Sequence, residues 1–326
     1  MAYLVTGGAG FIGSHISAAL VARGERVRVL DNFSTGYESN LGAIRDRIEL
    51  IRADLCDAEA VRKAVEGVDV VFHQAALASV PRSIDDPLAT HNACVTGTVN
   101  LLNAARKAGV RRVVYAASSS AYGDSAWSSK READMPSPLS PYAAAKLAAE
   151  QYCQAFYHSY RLETVCIRYF NVFGPRQDPN GAYAAVIPKF ICSMLAGERP
   201  TIFGDGLQSR DFTYIDNVVA GNLLAAEAKN VGGRVFNVAA GRSFSLLDLV
   251  AELNAVLGTK FEPRFEPARV GDVRDSLADI SAAGRDLNYV PNTGFREGLR
   301  KTVEFYRAAG AEGVTGYGLR VTGKTG

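Results

Sequence analysis

The sequence has few features of proteins that depend on disulfides, bind nucleic acids or span membranes. Its five cysteines are scattered over 326 residues, and no two have the CxxC spacing of zinc or redox motifs. Lys and Arg number 36 against 34 Asp and Glu, and this near balance argues against a nucleic-acid coat or a polybasic membrane binder. No apolar run reaches the roughly 18 residues that span a bilayer, and no basic segment opens the chain. We therefore expect a cytoplasmic protein with no metal site, no nucleic-acid partner and no membrane association.

Short apolar runs alternate with amphipathic stretches along most of the chain. At roughly 150 residues per domain, 326 residues predict two domains or one large unit with an added lobe. The predicted strands are Tyr3–Thr6, Arg26–Leu30, Ile48–Arg52, Val68–His73, Arg112–Ala117, Glu163–Tyr169 and Val235–Val238. The predicted helices are Phe11–Arg23, Ala58–Glu66, Thr90–Ala108, Tyr142–Tyr160, Asp216–Ala228 and Ser245–Leu257. This alternation predicts an α/β fold with a doubly wound parallel sheet.

The alternation loosens in the second half of the chain. Gly174–Gly181 and Ala196–Arg210 are rich in Gly, Pro and Asp, and we predict that they are loops of a smaller, C-terminal α/β lobe. Ser245 and Asp248, three residues apart, predict a capped start of the last predicted helix. Residues 313–326 contain five glycines and little apolar content, which predicts a flexible tail.

A glycine-rich turn between the first strand and the first helix predicts a dinucleotide site. Gly7, Gly10 and Gly13 form a GxxGxxG pattern, in which missing Cβ atoms let a pyrophosphate approach the backbone and the helix N-terminus. Asp31 lies about 20 residues further on, at the end of the second strand. A carboxylate there accepts hydrogen bonds from ribose hydroxyls and repels a 2′-phosphate, so we expect NAD rather than NADP.

A second group of residues predicts acid–base chemistry. Tyr142 and Lys146 are four residues apart, which places them on one face of a helix. A neighbouring ammonium favours a phenolate, and we expect Lys146 to lower the pKa of Tyr142. Ser118 follows the strand Arg112–Ala117, at the carboxyl edge of the sheet where binding groups gather, and is predicted to bind a substrate oxygen.

These motifs together resemble the extended short-chain dehydrogenase/reductases, whose fold is Rossmann-type. The TGGAGFIGS run at 6–14, the serine that ends the strand and the YxxxK pair are joined by HQAA at 73–76, RYFNVFGPR at 168–176, and GDG with SRDF at 204–212. These latter motifs are similar to those of the nucleotide-sugar branch. The resemblance covers about residues 2–305. It implies an NAD-binding domain at 1–172 and about 213–240, and a UDP-sugar lobe at 173–212 and 241–312.

Within that branch the chain is most similar to the UDP-hexose 4-epimerases. Related dehydratases and decarboxylases usually carry an acid just after the strand-end Ser or Thr, whereas this chain has Ser119 and Ser120. UDP-glucuronate enzymes tend to lack the asparagine that this chain keeps as Asn171. Two alternatives stay open: an NAD-dependent oxidoreductase or dehydratase acting on another nucleotide sugar, and a non-catalytic NAD-sensing protein. The second alternative fits poorly, because such offshoots usually lose the Tyr or the Lys of the YxxxK pair.

The resemblance implies a mechanism and a set of contacts. Tyr142 removes the proton of the sugar 4-hydroxyl with Ser118 orienting it, NAD takes the C4 hydride, and the 4-keto sugar turns over and takes the hydride back. The implied cofactor contacts are Gly7, Gly10, Phe11, Ile12, Gly13, Asp31, Asn32, Ser34, Gly36, Asp54, Leu55, Gln74, Ala75, Ala76, Asn92, Ala116, Tyr142, Lys146 and Tyr169. The implied substrate contacts are Ala78, Ser79, Ser118, Ser119, Ser120, Asn171, Ala185, Val186, Lys189, Thr201, Phe203, Arg210, Arg269, Asp272 and Ser276.

The resemblance also implies a substrate size and an assembly. Relatives restricted to UDP-glucose and UDP-galactose carry a tyrosine where this chain has Ser276, and Ala78 and Ala185 are also small. We therefore expect N-acetylated UDP-hexoses to be accepted alongside the unmodified sugars. Members that select N-acetylated sugars strongly often have glycine in place of Ala78, so tolerance is the firmer expectation. The family commonly dimerises through a four-helix bundle, here of Thr90–Ala108 and Tyr142–Tyr160.

Overall fold

The computed structural model describes residues 1–124, 129–180, 185–268 and 274–311. The strands are β1 Ala2–Thr6, β2 Arg26–Asp31, β3 Ile48–Arg52, β4 Val70–His73, β5 Arg112–Ser118, β6 Glu163–Tyr169, β7 Val172–Phe173, β8 Thr201–Phe203, β9 Ser209–Arg210, β10 Thr213–Tyr214, β11 Arg234–Val238, β12 Phe244–Ser245, β13 Arg264–Glu266 and β14 Asp275–Ser276. The α-helices are α1 Phe11–Ala22, α2 Ala58–Ala64, α3 Val80–Asp85, α4 Pro87–His91, α5 Gly97–Lys107, α6 Pro141–Tyr160, α7 Val186–Leu195, α8 Ile215–Glu227, α9 Leu246–Leu257, α10 Ser281–Leu287 and α11 Phe295–Ala311. Two 3₁₀ helices lie at Glu38–Arg47 and Ser119–Tyr122, and a π-helical turn lies at Asn92–Thr96.

Seven parallel strands form the central sheet in the order β3-β2-β1-β4-β5-β6-β11. One apolar cluster packs α1, α8 and α10 on one face, and a second packs α2, α5 and α6 on the other. Because both faces are covered, the middle strands β1 and β4 are buried along their whole length. The order reverses between β1 and β4. The predicted Rossmann-type α/β fold is confirmed, and Val235–Val238 returns to the sheet as β11.

The strand register brings the carboxyl ends of the strands to one edge of the sheet. Thr6 at the end of β1 pairs with His73 at the end of β4, and Ser118 at the end of β5 pairs with Tyr169 at the end of β6. In open sheets of this type, ligands bind at the carboxyl edge where the strand order reverses. The motifs singled out from the sequence therefore lie at one edge of the sheet.

A smaller lobe is built around α7, α9 and α11, with its own apolar cluster. Here the expectation of loops over Ala196–Arg210 was wrong, because this stretch contains β8 and β9. These short strands pair with β13, β12 and β14, which lie far along the chain and give no local signal. The capped helix start was right: Ser245 and Asp248 form a reciprocal capping box at α9.

The single helix expected at Thr90–Ala108 is also corrected. The helical path begins earlier, at Pro87, and contains the π-helical turn Asn92–Thr96 before α5 begins. Cys94 and Val95 in this turn pack against Ala145 of α6. A π-turn is a single-turn interruption that often lies at functional sites, and packing rather than local propensity decides it.

The seven strands of the central sheet fall within residues 1–172 and 213–240, while the division into two domains stays a prediction. The predicted tail at 313–326 lies outside the described residues. Among the helices of the described ranges, none is both long enough and apolar enough to cross a bilayer.

Candidate functional site

A cavity of about 490 Å³ opens at the carboxyl edge of the sheet, between the ends of β1, β2, β4 and β5. Every residue expected to contact the cofactor lines it, with the exception of Gly36. Gly36 instead packs behind the wall, since a Cβ on it would lie 2.9 Å from the carbonyl carbon of Ala9. Gly36 therefore packs against Ala9 of the glycine turn, and its contact with the cofactor stays a prediction.

The glycine turn at the start of α1 has no room for side chains. Gly7 has a φ of +65°, and a Cβ on it would lie 2.6 Å from the Ala75 nitrogen. A Cβ on Gly13 would lie 2.2 Å from the Gly7 oxygen. Gly10 precedes α1 without a side-chain cap, so the first N–H groups of the helix have no helical acceptor and face the cavity end of the turn. This bare, positively polarised helix start fits a pyrophosphate.

The end of β2 presents a carboxylate next to this turn. Asp31 accepts hydrogen bonds from the backbone N–H groups of Ala9 and Phe33, both at 2.8 Å, and burial raises its pKa. Asn32 donates to Asp54 at 2.6 Å. Asp31 is therefore fixed on the cavity wall in the place where a ribose-binding acid is needed, and the residues present fit NAD.

The candidate catalytic residues lie at the end of β5 and on the neighbouring helix α6. The Ser118 side chain lies near enough to Tyr142 to favour its phenolate, and the Ser120 hydroxyl donates to Ser118 Oγ at 2.8 Å. Lys146 follows one helical turn after Tyr142, and both residues line the cavity. The structure thus brings the serine at the end of β5 next to α6, the helix that carries the tyrosine and the lysine.

The expected pKa of Tyr142 is corrected by the structure. Burial raises the pKa of Tyr142 to about 12, and the hydrogen bond from Ser118 only partly opposes this effect. Lys146 is itself buried, and its ammonium lies 4.3 Å from the centre of the Tyr115 ring. Burial also lowers the pKa of Lys146. In the protein by itself, desolvation outweighs the effect that the lysine was expected to have on the tyrosine.

Buried polar side chains that sequence reasoning did not assign a role support this group. His73 bridges Thr6 at 2.7 Å and Thr98 at 2.8 Å, and burial lowers its pKa to about 3, so it is neutral. Glu150, one turn after Lys146, forms a bidentate ion pair with Arg168 of β6 at 2.9 and 2.6 Å. The spacing of Glu150 after Lys146 on α6 was the available signal for this pair.

Several cavity residues were missed, among them Arg82 of α3 and Cys56, two residues after Asp54. The Cys56 thiol donates to the Asn92 carbonyl at 3.4 Å. A signal existed for Cys56, because it lies four residues after the end of β3 at the carboxyl edge.

The residues expected to bind substrate are spread over both lobes. Ala78 lines the cavity, and Ser79 caps α3 by accepting from the Arg82 N–H. Ser119 and Ser120 form the 3₁₀ turn after β5, and Asn171, at φ +29°, joins β6 to β7. In the smaller lobe, the expected residues are Ala185, Val186 and Lys189 at the start of α7, Thr201 and Phe203 on β8, and Arg210 and Ser276 on β9 and β14.

Arg210 and Ser276 are register partners across the pair β9–β14, although 66 positions separate them in the chain. Of the substrate residues expected in the smaller lobe, none that the structure describes lines the 490 Å³ cavity. Arg269 and Asp272 lie outside the described residues. The substrate contacts as a set therefore stay a prediction.

Comparison with known proteins places these features in a family. The model of the NAD dependent epimerase/dehydratase family matches residues 3–239. The chain is 42% identical over 312 residues to the UDP-glucose 4-epimerase of Mycolicibacterium smegmatis, covering 94% of this chain and 99% of that protein. It is similar to the structure of UDP-N-acetylglucosamine 4-epimerase from Methanobrevibacter ruminantium M1 in complex with UDP-N-acetylmuramic acid, at a TM-score of 0.90 and 41% identity, covering 94% and 98% of the two chains. A UDP-glucose 4-epimerase structure with UDP-glucose from Thermotoga maritima has a TM-score of 0.90 at 38% identity, covering 95% and 99%.

Proposed function

Because the chain belongs to the NAD dependent epimerase/dehydratase family, we propose that it is an isomerase that interconverts UDP-hexoses at C4. The resemblance inferred from the sequence is confirmed by the family match, and so is NAD as the cofactor. The substrates we propose are UDP-GlcNAc with UDP-GalNAc, and UDP-glucose with UDP-galactose. Relatives over nearly the whole chain are named as 4-epimerases of UDP-sugars, which supports this choice.

One observation carries the proposal: Tyr142 and Lys146 line the same cavity as the glycine turn and Asp31, and Ser118 follows the lining residue Ala117 at the end of β5. The turn and Asp31 would hold NAD, and Lys146 would hold its nicotinamide ribose. When bound, NAD supplies a hydride acceptor that is regenerated in each cycle. A hydroxyl of the substrate that reaches Ser118 and Tyr142 lies within proton-transfer distance of both side chains.

The roles of these side chains follow from their surroundings. Tyr142 takes the proton of the sugar 4-hydroxyl, and Ser118 holds that hydroxyl and the tyrosine in one hydrogen-bonded chain. Tyr142 can take this proton only as the phenolate, so its own proton must first be released to solvent, against a pKa that burial raises to about 12. The buried ammonium of Lys146, one turn away, favours this phenolate. Ser119 and Ser120 stand where related dehydratases usually carry an acid, so these two positions offer no carboxylate for loss of water.

Substrate size is proposed from three small residues. We propose that Ser276 on β14, Ala78 on the cavity wall and Ala185 before α7 together leave room for a 2-acetamido group. A methyl and a carbonyl must fit beside the sugar ring, and a tyrosine at Ser276 would occupy that space. Acceptance of both N-acetylated and unmodified UDP-hexoses follows from this proposal.

The test uses the purified protein without added cofactor. UDP-GlcNAc, UDP-glucose and UDP-glucuronate are incubated in separate tubes, and the anomeric proton signals are followed by NMR. We expect the galacto epimers of the first two sugars to appear, with or without a supplement of NAD. Free NADH or a keto product would indicate an oxidoreductase or dehydratase. No product in any tube after NAD is added would contradict the proposed activity.

We also propose a homodimer through a four-helix bundle of the helical stretch Thr90–Ala108 and α6, next to which α3 and α4 lie. The helices α3 and α4 pack on α6, and Ile84, Leu88 and Tyr152 on these elements leave 64%, 74% and 44% of their surface exposed. Exposed apolar side chains on neighbouring helices are typical of an interface. Light scattering at micromolar concentration is expected to give twice the mass of the chain. The mass of a single chain would refute the dimer.

A further inference from the structure

Asp211 is a buried carboxylate to which no role has yet been assigned, next in the chain to Arg210. Its side chain is fully buried, and it accepts hydrogen bonds from three backbone N–H groups. Oδ1 accepts from Ala240 at 2.9 Å, while Oδ2 accepts from Gly241 at 3.0 Å and from Ala278 at 3.3 Å. Burial raises its pKa to about 6, so the carboxylate is charged at pH 8. A buried charge held by several N–H donors ties down the segments that carry them.

These donors come from two different parts of the fold. Ala240 and Gly241 follow β11, the edge strand of the central sheet, whereas Ala278 follows β14 in the smaller lobe. The backbone N–H of Asp211 donates to the Ser276 carbonyl at 2.7 Å, so Asp211 bonds β14 with both its backbone and its side chain. One residue thus joins the strand pair β9–β14 to the carboxyl end of β11.

That strand pair carries two residues of the proposed substrate site. Arg210 and Ser276 are register partners, and they flank the bond between Asp211 and β14. We propose that Asp211 is a positioning residue for the UDP-sugar, which sets where Arg210 and Ser276 stand relative to the central sheet and Tyr142. This inference rests on the proposed function, because it assumes that a UDP-sugar binds across the two lobes.

A residue that only positions substrate contacts affects substrate binding more than the rate of the chemical step. Arg210 is expected to hold the diphosphate equally in the bound substrate and in the transition state. Loss of an interaction that is equal in both raises KM and leaves kcat nearly unchanged. The cofactor cavity does not include Asp211 or its partners among its lining residues, so NAD binding should be unaffected.

Asp211→Asn is the sharpest change, because it keeps the size of the side chain. Asparagine keeps one acceptor oxygen. In place of the second carboxylate oxygen of the wild type it has an NH₂ group, which faces backbone N–H donors and cannot accept from them. At pH 8 we expect KM for UDP-GlcNAc and Kd for UDP, measured by calorimetry, to rise about tenfold or more. The value of kcat should stay within about threefold of wild type, with NAD content unchanged.

Two further variants complete the test. The hydrogen bonds between Asp211 and its three N–H donors are called the anchor here. Gly241→Ala disturbs the anchor at one of the donors, because Gly241 has a φ of +69°, which alanine adopts only with strain. If Asp211→Asn does not fold, Gly241→Ala tests the proposal in its place. We expect it to raise KM by a smaller factor with kcat preserved. As a control in the same lobe, Arg300→Gln removes surface ion pairs with Glu297 and Glu304 on α11 and should leave KM and Kd unchanged.

The outcomes separate the two proposals. If wild type binds UDP and epimerises, but neither anchor variant changes KM or Kd, Asp211 has no positioning role. A loss of kcat of about tenfold, with KM unchanged, would overturn the inference as well. If wild type neither binds UDP nor turns over UDP-hexoses, the proposed function fails, and the inference that rests on it fails with it.

Discussion

Removing the carboxylate of Glu150 is expected to destabilise the protein strongly. Glu150 and Arg168 form a bidentate pair between α6 and β6, and their side chains are only 1% and 3% exposed. Arg168 Nη1 has no hydrogen-bond partner among the described residues, and the guanidinium carbon lies 4.6 Å from the centre of the Tyr122 ring. Without Glu150, the buried guanidinium loses the carboxylate that pairs with it.

The magnitude follows from this burial. Breaking a buried pair by removing one partner costs about 3 to 5 kcal/mol, because the remaining charge is desolvated. With an unfolding entropy typical of a chain of this length, Glu150→Leu should lower Tm by about 4 to 7 °C. Replacing both partners by apolar residues of similar volume is often neutral or stabilising. The double variant Glu150→Leu with Arg168→Met should therefore be more stable than Glu150→Leu alone.

The assay is thermal unfolding by calorimetry at one fixed, saturating NAD concentration, because a bound ligand adds its own stability. A matched control lies on α11, where Arg300 and Glu297 form a pair of similar bidentate geometry at 2.9 and 2.8 Å on the surface. Glu297→Gln should leave Tm essentially unchanged, since exposed pairs are screened by water. A double variant no more stable than Glu150→Leu would refute the reasoning, because the loss would then not come from the uncompensated charge.

Three further changes test the site. Gly13→Ala should abolish retention of NAD, because the new Cβ would lie 2.2 Å from the Gly7 oxygen; absorbance of released cofactor after denaturation measures it, and full NAD content would contradict the fit. Tyr142→Phe should keep NAD and UDP binding but lose turnover, and a rate above a few per cent of wild type in the NMR assay would mean that another group is the base. Ser276→Tyr should suppress turnover of UDP-GlcNAc and spare UDP-glucose, whereas equal loss of both rates would contradict the size argument.

The central sheet could be predicted well because its signals are local. Each strand from Tyr3–Thr6 to Glu163–Tyr169 is a short apolar run, and the structure shifts their ends by at most two residues. The glycine turn and Asp31 lie within one βαβ unit, so their spacing alone indicated a shared site. The small strands β8 and β9 gave no such signal, because their partners are 34 to 66 residues away.

The site was predicted less completely, and the reason lies in burial rather than in pattern. Motif spacing brought Tyr142, Lys146 and Ser118 together, but it predicted a lowered pKa for Tyr142. The structure shows the tyrosine and the lysine in a desolvated environment, where burial raises the pKa of Tyr142 to about 12. Desolvation depends on everything packed around a side chain, and no local spacing reports it.

Asp211 and Glu150 also show that burial cannot be predicted from local sequence. In the sequence, Asp211 lies in a short motif and Glu150 lies on a predicted helix, and nothing distinguishes either from an exposed acid. In the structure, both are buried against groups from other segments of the chain. A buried carboxylate is tolerated only where donors or a cation offset its desolvation. Asp211 has three N–H donors, and Glu150 has a guanidinium. Both therefore connect elements whose relative position matters: Glu150 ties the helix of Tyr142 and Lys146 to the sheet, and Asp211 ties the smaller lobe to it. If catalysis requires a sugar to lie across both, these two acids fix the two sides of the site independently, and their effects on stability and on KM should add.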